Sequence, residues 1–142
     1  MKRIIVTCLI FISLFSSCKK ASTETINDLI SADDTTAILK YQGSFINGPS
    51  GNVSGQAKIF LKSGKYILAL ESFKTSNGPD LKVYLSQAET PELFISLGDL
   101  QSTNGNQLYE VPGSLDFDQY KYALIHCEKY NHLFGSASLI RL

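Results

Sequence analysis

The chain has 142 residues, 13 Lys and Arg against 13 Asp and Glu, and no Trp. The balanced charge gives no basic surface for a polyanion, so nucleic-acid binding is not implied. The apolar content is ordinary for a globular chain and too high for a disordered one, and the length suits one domain with attachments.

Met1-Lys2-Arg3 is a basic start, and Ile4 to Phe15 is an apolar run too short for a comfortable membrane span. It ends in Phe15-Ser16-Ser17-Cys18. Small residues directly before a cysteine resemble the lipobox of bacterial lipoproteins, which implies cleavage before Cys18 and a diacylglycerol on its thiol. Residues 1–17 therefore read as a lipoprotein signal peptide, and 18–37 as the lipidated cysteine and a polar tether. Within the tether, Ile26, Leu29 and Ile30 are spaced for a single helical turn. The expected address is the bacterial cell envelope, with the membrane as partner through Cys18, facing the periplasm or exposed at the surface. Cys8 leaves with the signal and Cys18 is consumed by lipid, so Cys127 is the one remaining thiol and no intrachain disulfide can form.

From residue 38 to 142 the pattern is short apolar runs broken by turn residues. Tyr41 to Ile46 is a first strand, and Asn47 to Asn52 a loop of Gly, Pro, Ser and Asn. Ala57, Ile59 and Leu61 alternate with polar residues, with Phe60 on the polar side. Ser63-Gly64 is a two-residue hairpin signal leading into Lys65–Ser72, whose run Tyr66 to Leu70 reads as buried on both faces. Asn77-Gly78-Pro79-Asp80 is a turn. After it Leu81, Val83 and Leu85 alternate with Lys82, Tyr84 and Ser86, which predicts a half-buried strand. Leu93 to Leu97, Gln107 to Val111, Tyr122 to Cys127 and Gly135 to Arg141 complete the strand candidates. Strand signals recur about every 8–12 residues with no helical period between them. The expectation is an all-β fold, a single antiparallel β-sandwich of about seven to nine strands with Greek-key-like connections.

The residues that could carry chemistry are few. Cys127 shares a strand face with Ala123 and Ile125, the company of a buried structural thiol, yet it is the redox candidate because it alone can form a sulfenic acid or a mixed disulfide. His126 adjoins it and must point to the opposite face. With two histidines and no spare methionine, a blue-copper site is disfavoured, and c-type haem lacks its Cys-x-x-Cys-His attachment motif. No metal site is expected. Asp80 reads either as a ligand anchor or as a cap on the backbone of its own turn. With His126 and Tyr109, one of seven tyrosines suited to faces half apolar and half wet, it completes the binding candidates. No nucleophile elbow or phosphate loop is present.

Gly43-Ser44-Phe45, Gly55-Gln56-Ala57, Gly78 to Leu85, Tyr109 to Pro112, Ile125-His126-Cys127 and Phe134 to Leu139 occur in an order and spacing that resemble the DM-thirteen domain, over about Leu39 to Leu142. The resemblance implies a compact β-sandwich, an electron-transfer role and attachment to envelope proteins. It also implies that Cys127 is the residue on which a redox role would rest. It carries over no cofactor, substrate or partner; an envelope protein or a small ligand would serve equally. Two functions stand at this point: a redox or electron-transfer accessory working through Cys127, and a non-catalytic binding module in which Cys127 is structural and the loops bind.

Overall fold

The computed structural model describes residues 37–142. The signal peptide, Cys18, the tether and its helical turn lie outside the described residues. Nine strands follow in order: β1 Ile38–Asn47, β2 Val53–Lys62, β3 Lys65–Thr75, β4 Leu81–Ser86, β5 Phe94–Asp99, β6 Asn104–Val111, β7 Tyr122–Cys127, β8 His132–Ser138 and β9 Ile140–Arg141. All pairings are antiparallel, in the spatial order β5-β4-β7-β8-β1-β2-β3-β6, with β9 also on β1. The sheet folds over itself into a sandwich. β1, β2, β3, β6 and β9 make one layer and β4, β5, β7 and β8 the other. The chain crosses between layers after β3, β5, β6 and β8, so sequence-distant strands become neighbours, as the Greek-key expectation requires.

β1 belongs to both layers. Its first part pairs with β2 on one side and, through Tyr41 and Gln42, with β9 on the other. Its last residues, Phe45 to Asn47, pair with Ala137 to Gly135 of β8. Glycines permit the close approach. A Cβ on Gly43 would lie 2.1 Å from the Ser138 carbonyl oxygen, and one on Gly135 would lie 2.6 Å from that of Ile46. The first layer bends along a line of irregularities, a bulge at Gly55 in β2 (φ 111°) facing one at Ser72 in β3 (φ 49°). The displaced Ser72 N–H donates to Asn106 Oδ1 at 2.9 Å. Extra residues of this kind sharpen the twist of a sheet and turn its corner. Beyond the corner Phe73 enters the core and meets Phe45 edge to face, centroids 5.5 Å apart.

The inward residues of both layers form one core, including Ile59, Leu68 and Leu70 from one side and Val83, Ile125 and Cys127 from the other. The β2–β3 hairpin turns on Ser63-Gly64 with φ of 49° and 78°, the doubly positive geometry of a type I′ turn. Three expectations need correction. Tyr66 and Ile67 are half-buried: Tyr66 packs at the margin of the core against Phe117, and Ile67 lies on the outer face, where Ala69 is buried by only Ala37, Phe60 and Leu108. The last strand candidate is two strands, broken at Leu139, whose side chain enters the core while its N–H donates to Lys121 O at 2.7 Å. β4 is not half-buried: Tyr84 and Ser86 on its outer face are as enclosed as the core. The segment after it folds back, with Gln87 N–H donating to Leu93 O at 2.9 Å and Ser86 Oγ to Thr90 O at 3.0 Å. Glu89 then reaches across to accept from Ser136 Oγ at 3.2 Å.

Candidate functional site

The alternation in β4 and β7 sends their side chains to two unlike environments. Cys127 points inward and is 1% exposed, within the apolar core cluster. A thiol there packs as a small hydrophobe and cannot reach a partner's sulfur without unfolding. His126 points outward, 5% exposed, with its ring 5.6 Å from that of Tyr84. The two residues are adjacent in sequence and do not converge on a common point.

Outside the core, around His126, lies a polar and aromatic cluster built by strand register. Lys82 of β4 stands opposite His126 of β7 and Asp99 of β5. The Lys82 ammonium donates to Asp80 at 2.8 Å and to Asp99, with Glu128 at 3.9 Å. Hydrogen bonds to Asp80 first and then Asp99 hold it firmly protonated, against the pull of desolvation. Asp80, expected as a cap on its own turn or a ligand anchor, spends its carboxylate on this ion pair. Its carbonyl accepts from Glu128 N–H at 2.9 Å and fastens the β7–β8 turn to the β3–β4 loop. Glu128 in turn accepts the hydroxyl of Tyr84 at 3.1 Å. Burial, then the neighbouring Glu128, pushes the Tyr84 phenol up to about 12. The Tyr84 ring stacks on Phe94 of β5, centroids 4.2 Å apart and planes 22° from parallel.

His126 Nε2 lies 3.1 Å from Asn131 Oδ1, in a turn where Asn131 takes φ of 52°. That bond calls for a proton on Nε2 and leaves Nδ1 as a buried lone pair without a partner among the described residues. Desolvation lowers the imidazole below its usual value, against the raising effect of Asn131.

Tyr109 lies in the other layer, on β6. Its hydroxyl accepts from Gln101 N–H at 3.0 Å and donates to Gln107 Oε1 at 2.8 Å, so both capacities close the β5–β6 loop. Burial raises its phenol as well. Of the candidates, then, Asp80 and His126 border one cluster, Cys127 lies beneath it in the core, and Tyr109 stands apart. The sequence reading missed Lys82, Tyr84, Phe94, Glu128 and Asn131. Tyr84 between Lys82 and Ser86 in the outward register was the one local signal. The partners come from strands whose pairing a single sequence does not display.

The β1–β2, β3–β4 and β5–β6 loops meet at one end. Ser76 N–H donates to Asn52 O at 2.9 Å, and Thr75 N–H to Thr103 O at 2.9 Å. Between the β3–β4 and β5–β6 loops lies a polar cleft of about 500 Å³, lined by Asn77, Asp80, Asp99, Gln101 and Ser102 among others. The loop after β1 also packs down on β8, with Gly48 N–H donating to Phe134 O at 2.7 Å.

A family model described as electron transfer DM13 matches residues 44–139. No curated protein and no solved structure matches the chain.

Proposed function

The chain belongs to the electron-transfer DM-thirteen family, and from that premise we propose that it is an electron-transfer accessory of the bacterial cell envelope, held to the membrane by lipid on Cys18. The observation that carries the redox part is the family match, which runs through every strand from β1 to β8. The envelope address rests on the basic, apolar and Ser-Ser-Cys order of residues 1–18. The chemistry is electron exchange without thiol–disulfide exchange. A thiol 1% exposed among apolar side chains offers no line of attack to a second sulfur, whereas an electron needs no such path.

Voltammetry of the lipidated protein in detergent tests this reading. The expected result is a reversible one-electron wave that survives Cys127→Ala. Absence of a wave overturns the electron-transfer role, and loss of the wave in Cys127→Ala restores the thiol as its centre. Metabolic palmitate labelling tests the anchor: it should vanish in Cys18→Ala, and labelling that persists removes the lipoprotein assignment.

A second reading is favoured by the loop cleft. Asn77, Gln101 and Ser102 present amide and hydroxyl groups around a polar hollow on a rigid scaffold. A ligand- or protein-binding module would use it, with Cys127 serving only the core.

A further inference from the structure

We propose that Tyr84 is the redox-active residue of this domain, with Glu128 as its proton acceptor and the exposed ring of Phe94 as the contact point for a one-electron metal oxidant carried by a partner. This rests on the electron-transfer reading and gives it a centre other than Cys127.

Three placements meet at this one side chain. The Tyr84 ring is 1% exposed, so a radical on it would be kept from water and from other molecules. Its hydroxyl bonds to a carboxylate at 3.1 Å. Its face stacks at 4.2 Å on Phe94, itself 41% exposed, so the buried phenol stands one ring behind the surface. His126 covers part of the remaining surround, and as a neutral imidazole adds no charge there.

The proton balance explains why Glu128 is needed. A phenol held protonated to about pH 12 cannot be oxidised as phenolate at neutral pH. Removing an electron from the intact phenol makes its O–H a strong acid, so the proton must leave with the electron. Here it crosses the existing hydrogen bond to Glu128 Oε1. The electron reduces the partner's metal by one unit. The products are a neutral tyrosyl radical and a Glu128 carboxylic acid. One electron from a reduced one-electron metal centre, and the return of the same proton from Glu128, restore the start. The Glu128 side chain is 58% exposed, so water surrounds the carboxylate that receives the proton. Lys82 Nζ stands 3.9 Å from the other carboxylate oxygen of Glu128. Tyr109, equally enclosed, has glutamine and a backbone N–H as its partners, neither of which takes a proton.

The test uses the lipidated protein with photogenerated tris(bipyridine)ruthenium(III) as oxidant and freeze-quench electron paramagnetic resonance as readout. The expected result is one tyrosyl signal, lost in Tyr84→Phe and retained in Tyr109→Phe. Glu128→Gln should keep the fold and slow radical formation by about 10²-fold, the lower end of what a positioned proton acceptor contributes. An undiminished signal in Tyr84→Phe, or an unchanged rate in Glu128→Gln, overturns the proposal. The voltammetric wave separates the two levels. A wave that persists in Tyr84→Phe removes Tyr84 and leaves the electron-transfer role standing, whereas no wave in the unaltered protein removes the role itself.

Discussion

Two neighbouring residues, Cys127 and His126, place opposite demands on the fold. Cys127 fills core space and makes no polar contact that its replacement must reproduce. Cys127→Ser should cost about 1–3 kcal/mol in urea unfolding, because the hydroxyl would be buried without a partner, and Cys127→Ala should cost less. A thiol reagent should modify Cys127 only as the protein unfolds; rapid modification of the native state would contradict the packing role. His126 is held neutral, with its pKa below the unfolded value of about 6.5. The unfolded chain therefore binds a proton more readily. The contribution from His126 is complete above the unfolded value and is lost as pH falls through it toward the folded one. The melting temperature should fall between pH 7.5 and 5 by more in the unaltered protein than in His126→Gln, and equal falls would show that His126 is not the group responsible. The inward face of Cys127 was legible from alternation with Ala123 and Ile125. The Lys82–Glu128 cluster was not, since its members meet only through the pairing of β4 with β5 and β7.

At the scale of elements, turns and alternation carried most of what a reader of the sequence could use. Ser63-Gly64 was visible as a hairpin because a two-residue turn signal separates two strand candidates. Its weak point is Ser63, a non-glycine residue at φ 49°. Ser63→Asn should raise the melting temperature, with a gain of about 0.5 kcal/mol or less, since Asn tolerates this conformation best among residues with a side chain. The break at Leu139 was hidden because its inward side chain continues the alternation of β8 while its N–H leaves the ladder for Lys121. Likewise, no pattern within β4 shows that the segment after it returns over Ser86 or that Phe94 of β5 stacks on Tyr84. Close approaches were hidden too. Gly43→Ala would set a methyl against the Ser138 carbonyl, a backbone atom that cannot move aside alone. It should destabilise by at least the ~1–3 kcal/mol usual for overpacking, and a thermal midpoint within a degree of the parent would show that β1 and β8 can separate without cost.

For the whole molecule, the strand order matters more than any strand. β1 needs β8 and β9, β3 needs β6, and β4 needs β7. Such distant pairings must be closed before they stabilise anything, so folding should take milliseconds to seconds. A fragment of residues 37–111 should have no cooperative thermal transition in circular dichroism, because β4 would lack β7 and the end of β1 would lack β8; a sharp transition would show that the first layer is self-sufficient. The all-β class was evident from strand spacing alone, whereas the sharing of β1 between layers was not, because nothing local marks a strand that changes partners. That sharing has a mechanical consequence. Any pull arriving through the residues before Ala37 enters along the axis of β1, which is hydrogen-bonded on both flanks. The load falls on several bonds at once in shear, and they must fail together; a strand at the sheet's edge would peel away one bond at a time. The domain is thus loaded in shear, not peeled, when it is held by the residues ahead of β1.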